Sequence, residues 1–260
     1  MKLDFTLVSY LNTRPFLDGL ESVFHKEQAE YHLLPPFQCA KHLAEKQCDL
    51  SLIPVGSLFD FKDLRLLPNY CIGADGPVHS VYIFSELPIE QVETIYLDPH
   101  SRTSNLLSRI LAKHYWQKDI TFIKDVKHHH QYIRGNSAGV VIGDLAIRIR
   151  DMFPYVYDLS ECWKLMTGLP FAFAVWAYHP GALDPYLIRQ IQEGFRKGVS
   201  QAGQTARKWA AHFDIPMDFA IKYLEEYIDF EFDAKKHDAL KLYLNLAQGL
   251  GVLPPTPAFV

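Results

Sequence analysis

The segment Ser9-Tyr10-Leu11-Asn12-Thr13-Arg14-Pro15 closes a first apolar run, 3–9, and places neutral polar groups directly behind it. If that run is a strand of a parallel sheet, these side chains lie at its carboxyl edge, where open α/β folds hold their ligands. Ser9, Tyr10 and Asn12 are then candidate cleft residues, suited to orienting an anion or a hydroxyl. A local use competes for the same residues, because Asn12 and Thr13 also suit the cap of a helix beginning near Pro15. The run from Gly73 to Val81 is rich in turn formers and delivers Ser80 to the start of another strand. Ser80 either faces the cleft or has its hydroxyl satisfied by nearby backbone.

Ser101-Arg102-Thr103-Ser104 precedes a segment in which Leu106, Leu107, Ile110 and Leu111 keep helical spacing. Free backbone amides and three hydroxyls therefore meet at the positive end of a helix, an arrangement fit for a carboxylate. Capping by Ser101 or Thr103 is compatible with that role, and Arg102 is expected to face solvent. Gly143-Asp144 ends an apolar strand at 139–142: Gly143 lets a ligand approach the backbone, and Asp144 is read as the cap of a helix over 145–150 rather than as a catalytic acid. His128, His129 and His130 are adjacent along the chain, so their side chains diverge, and no further ligand pattern accompanies them. They are read as a solvated loop. Cys39, Cys48, Cys71 and Cys162 lack the paired spacing of zinc or redox sites and are read as reduced structural thiols.

The elements that must position these groups come from the periodicity. Apolar runs at 3–9, 31–34, 50–53 and 78–85 read as strands, with a helical segment at 37–46 between the second and third. A second series has strands at 94–97, 120–123, 139–142 and 155–157 and helices at 104–114 and 145–150. Such alternation argues for βαβ units and largely parallel sheets. After an apolar run at 171–178, helices dominate at 185–197, 205–212, 218–228 and 234–248. Packing these last helices back on the first half leaves two crossing strands, 81–85 and 173–178, as a hinge. The expected architecture is α/β, with one lobe formed by 1–84 and 175–260, a second by 85–174, and a ligand cleft between them.

The 260 residues supply a core of the size such a pair of lobes needs, and 48% hydrophobic with 22% charged residues is the usage of an ordered globular chain. A net charge of -4 and a pI near 6.3 argue against a nucleic-acid or acidic-membrane partner, which requires a concentrated basic face. Asp4 interrupts the first apolar run and no small-residue cleavage site follows, so the amino terminus reads as a buried strand rather than an export signal. No uncharged apolar stretch reaches the roughly 18 residues that suggest a bilayer span. A cytoplasmic protein is expected.

Taken together, the segments resemble the chorismate dehydratases of the futalosine route to menaquinone, and more distantly their sister enzymes, the dihydroxynaphthoate synthases. The resemblance runs from Val8 to about Trp176. It rests on Ser9-Tyr10-Leu11-Asn12-Thr13 with Pro15, Asp75-Gly76-Pro77-Val78 with Ser80-Val81, Ser101 with Thr103-Ser104, Gly143-Asp144 with Ala146, and Thr167-Gly168-Leu169-Pro170-Phe171. The Cys-Pro-Asn pattern of the sister enzyme is missing near the start. The family resemblance implies a two-lobed, type II periplasmic-binding-protein-like fold. It also implies loss of water from chorismate to give 3-[(1-carboxyvinyl)oxy]benzoate without metal or organic cofactor. Asn12 and Ser80 match the family's functional positions, and Ser101, Thr103 and Ser104 resemble its carboxylate-binding segment. The matched segments contain no lysine, glutamate or well-placed histidine, which points to a substrate carboxylate as the proton acceptor.

Overall fold

A computed structural model describes residues 2–251 together with 253 and 257. The first half of the chain runs β1 (Leu3–Val8), α1 (Arg14–Glu21), β2 (Ala29–Leu34), α2 (Pro36–Ala44), β3 (Leu50–Pro54) and β4 (Arg65–Ala74). It continues through β5 (Val81–Ser85), β6 (Thr94–Tyr96), α3 (Arg102–His114), β7 (Thr121–Ile123), β8 (Ser137–Ile142), α4 (Gly143–Ile149), β9 (Tyr155–Asp158) and α5 (Leu159–Thr167). The last part comprises β10 (Phe171–Tyr178), α6 (Pro185–Ser200), α7 (Ala202–Trp209), α8 (Met217–Lys222), β11 (Asp229–Phe232) and α9 (Ala234–Gln248).

Two sheets result, one of six strands in the order β11-β4-β10-β3-β1-β2 and one of five in the order β7-β6-β8-β5-β9. Both are mixed rather than largely parallel. In the first, β1 runs parallel to β2 and β3, while β10 is antiparallel to β3 and β4, and β11 to β4. In the second, β6 is parallel to β7 and β8, and β5 is antiparallel to β8 and β9. This is the expected two-lobed α/β architecture, but its seams differ from those expected. β5 pairs only within the second sheet and β10 only within the first. Boundaries at 84/85 and 174/175 would cut through strands that their sheets keep whole. The chain instead passes between sheets at 75–80 and 168–170, where Gly76, His79 and Gly168 have positive φ.

β4 and β11 carry no clear strand signal in the sequence. β4 contains Pro68 and a left-handed Asn69 (φ 76°), and its pairing with β10 is broken by register shifts; a proline inside a run argues against a strand unless the strand is irregular. The expected single helix at 218–228 is α-helical only to Lys222, then widens into a π turn over Tyr223–Tyr227. Such turns recur at functional sites because they turn side chains out of the regular helical register.

The larger core lies around α1, β10 and α6. Phe16 packs at 4.6 Å from Phe195 and 5.5 Å from Trp176, and Trp176 stacks on Phe195 at 4.6 Å. α1 and α6 touch backbone to backbone: a Cβ on Gly198 would overlap the Pro15 carbonyl, and one on Gly19 the Gly194 carbonyl. This close approach fixes α1, and with it the Asn12 segment that leads into it. α9 fills the space between β10 and α3. Its Tyr243 is buried against Phe171 at 5.3 Å and Trp163 at 6.4 Å and donates to the Thr103 carbonyl at 3.1 Å. Among the described residues no helix is long and apolar enough to cross a membrane.

Candidate functional site

A cavity of about 70 Å³ lies between the two sheets. The first half supplies Val8, Tyr10, Asn12, Leu52 and Pro54 to its wall, the second half supplies Ser101, Thr103, Ser104, Ile142 and Gly143, and the crossing supplies Val78 and Ser80. Among the described residues the lining contains no carboxylate, imidazole, amine or thiol. Tyr10 is its one titratable group, and burial first, then Asp98 and Asp144 nearby, push the phenol well above its ordinary range. The cavity therefore offers neutral donors on an apolar wall.

Asn12 does not cap α1. Its Nδ2 donates to the Tyr223 hydroxyl at 3.1 Å, and that hydroxyl donates to Ser80 Oγ at 2.8 Å. Nor does the Thr13 side chain cap α1: its hydroxyl points back to the Val8 carbonyl at 2.5 Å and the Tyr10 carbonyl at 3.0 Å. Ser80 is buried, and its carbonyl accepts from the Gly143 amide at 2.8 Å. The crossing that presents it is held by Asp158, whose carboxylate accepts from the amides of Val78 (2.9 Å) and His79 (2.7 Å) while also capping α5 through Ser160 and Glu161. His79 is left-handed (φ 58°) rather than extended, and its ring lies on Tyr227 at 4.1 Å.

At the amino end of α3, Ser101 caps the helix by accepting from the Ser104 amide at 3.1 Å, and its hydroxyl donates to Ser104 Oγ at 2.8 Å. The Ser104 proton is thereby left for a partner outside that pair. Thr103 is engaged with the opposite half: its hydroxyl accepts from the Gly56 amide at 3.0 Å and donates to the Phe173 carbonyl at 3.3 Å. Arg102 does not point freely into solvent but pairs with Asp60 across the two halves. These contacts clasp the halves together around the cavity.

Gly143 (φ 67°) also belongs to the clasp, because the Tyr10 ring occupies the space a side chain would need. Asp144 does not cap α4, whose first turn has no side-chain cap; its carboxylate sits inside that turn and accepts from the Leu11 amide of the other half at 3.4 Å. Burial pushes its carboxyl up to about 6, opposed by the Leu11 amide, Arg148 and Arg14. The structure thus brings Tyr10, Asn12, Ser80, Ser101, Thr103, Ser104 and Gly143 to one cavity. Ser9 and Asp144 lie outside its lining; the Ser9 amide extends the β1–β2 ladder to Leu34 at 3.0 Å.

The histidine run is not simply solvated. His129 is buried, with Nε2 at 2.5 Å from the Val140 carbonyl and 3.9 Å from Asp98, because the short 3-10 turn at His129–Tyr132 folds back on β8. Among the described residues no group of three His, Cys, Asp or Glu side chains is placed to hold a metal ion. All four cysteines are free and buried. Tyr223 is the residue that sequence reasoning passed over. Its only trace there is the aromatic spacing Phe219, Tyr223, Tyr227, which reads equally well as a buried helix face.

A family model described as menaquinone biosynthesis matches residues 3–249. Among curated proteins, the chain is 27% identical to a chorismate dehydratase of Thermus thermophilus, covering 97% of this chain and 96% of that one. It is 25% identical to a chorismate dehydratase of Campylobacter jejuni, over 94% and 92% of the two chains. Among solved structures it superposes, with a TM-score of 0.71 and 10% identity, on a Candida albicans protein described as having the generic periplasmic binding protein fold, covering 100% of this chain and 93% of that one.

Proposed function

The chain belongs to the menaquinone biosynthesis family, and from that membership we propose that it is a chorismate dehydratase of the futalosine route, converting chorismate to 3-[(1-carboxyvinyl)oxy]benzoate. The observation that carries this reading is that Asn12 and Ser80 meet at the Tyr223 hydroxyl in a cavity that also receives the hydroxyls of Ser101, Thr103 and Ser104 and whose described lining holds no carboxylate, imidazole or amine.

In the proposed reaction the ring carbon bearing the enolpyruvyl ether gives up its proton to the substrate's own enolpyruvyl carboxylate. The electron pair forms the new ring double bond, and the C–O bond to the neighbouring ring hydroxyl breaks. Oxygen and proton leave together as water. Aromatisation drives the reaction, so the protein's task is to orient the dianion and to exclude competing paths. Asn12 and Ser80 hold the enolpyruvyl carboxylate; Ser104, Ser101 and the first-turn amides of α3 receive the ring carboxylate, with Thr103 joining them if its bonds to Gly56 and Phe173 exchange. Tyr10 and Gly143 shape the wall beside the ring, and Asp144 acts only through the Leu11 backbone.

Lobes composed of 2–74 with 171–251, and 81–167, would open about the crossings to admit chorismate and close again to expel water, which strengthens each hydrogen bond inside. Incubation of the purified protein with chorismate, followed by ultraviolet absorbance and mass, tests the reading. Loss of one water mass with growth of benzoate absorbance is expected. Chorismate recovered bound but unchanged would make the protein a binding protein instead.

A further inference from the structure

Tyr223 comes from a part of the chain far from either functional segment, yet it is the only described residue that hydrogen-bonds both Asn12 and Ser80 through side chains. It is buried to 1% exposure, and burial pushes its phenol far above the ordinary range, so it remains protonated. An amide nitrogen can only donate, so Tyr223 Oη accepts from Asn12 Nδ2. The phenol proton is then free for Ser80 Oγ. Because Ser80 accepts on that side, its own proton is left for another acceptor, and the side chain lines the cavity.

The π turn makes this geometry available. Tyr223 opens it and Tyr227 closes it, and the two reach consecutive residues of the crossing, Ser80 by a hydrogen bond and His79 by ring contact. The carboxy-terminal segment therefore grips the crossing at the point where it presents Ser80.

We propose that Tyr223 is a positioning residue for the dehydration: it sets the donor direction of the Ser80 hydroxyl and the rotamer of Asn12, so that both aim at one carboxylate of the substrate. The inference rests on the dehydratase reading and adds to it a residue that never touches the reacting atoms.

Tyr223→Phe removes one oxygen and keeps the ring. It is compared with wild type, with Ser80→Ala, and with the Ser80→Ala/Tyr223→Phe double variant, each assayed for chorismate dehydration and thermal unfolding. Tyr31→Phe, which deletes a hydroxyl bound to the Phe24 carbonyl away from the cavity, is the stability control. The expected result is a fall in kcat of roughly 10- to 100-fold with KM within about threefold, no fall for Tyr31→Phe, and less than about a twofold further loss when Tyr223→Phe is added to Ser80→Ala. An unchanged kcat in Tyr223→Phe, or losses that multiply in the double variant, would overturn the positioning role. If Tyr223→Phe does not fold, a ring-fluorinated tyrosine at 223 keeps both hydrogen bonds while strengthening donation. Its kcat is expected to change at least about twofold, and an unchanged kcat counts against the role. Wild-type protein that leaves chorismate intact overturns both readings, whereas active wild type with an indifferent Tyr223 overturns only this one.

Discussion

The Tyr10 ring rests on the bare α-carbon of Gly143, where a Cβ would stand 3.0 Å from Tyr10 Cζ. The contact joins the two halves beside the cavity, and it needs glycine twice, once for space and once for a φ of 67°.

Gly143→Ala is accordingly expected to destabilise the protein by about 1–3 kcal/mol, through the left-handed backbone and the displaced ring together. Urea unfolding gives the loss directly. Wild-type stability in this variant would show that the Tyr10 contact is slack.

The backbone contact of α1 with α6 makes a second prediction. Gly198→Ala must push α1 away from α6 at the Pro15 carbonyl. A loss of about 1–3 kcal/mol is expected. Because Pro15 lies three residues beyond Asn12, turnover should fall as well, even though position 198 is remote from the cavity. Measured stability and kcat that stay at wild-type values would show that the helices can separate without cost.

Asn12→Ala and Ser80→Ala each remove a donor from the proposed carboxylate site. Both are expected to lower kcat by roughly 10- to 100-fold, more than they raise KM, since the two donors aim the carboxylate at the ring proton. Steady-state kinetics separate the two parameters. A change confined to KM would assign these residues to binding alone.

Asp144 gives a pH dependence whose sign is fixed by its environment. Burial raises its carboxyl to about 6 in the folded protein, against about 4 in the unfolded chain. Between those values the folded state holds the proton more firmly, so this group favours folding fully below pH about 4 and loses that contribution as pH rises through 6. Asp144→Asn lacks the ionisation. Relative to that variant, the wild type should therefore lose on the order of 2 kcal/mol of stability between pH 4 and 7, read from urea midpoints across the range. A flat difference would mean that the Leu11 amide, Arg14 and Arg148 hold the carboxylate fully ionised.

What the chain determines by itself is local. The period of the apolar residues marks β1, α2, α3 and α9, Ser101 announces the cap of α3, and the turn-rich 73–80 marks the place where the chain changes sheet. These signals work because strand alternation, helical spacing and capping depend on neighbours a few residues away. Asn12 and Ser80 can be singled out in the same way, but not their meeting. Tyr223 joins them across 211 and 143 residues of chain, and Thr103 finds Gly56 across 47, at distances where no local spacing rule operates. Only packing decides such pairs: the glycine contact of α1 with α6, the π turn after Lys222, and Tyr243 of α9 wedged between the halves together fix which polar groups share the cavity.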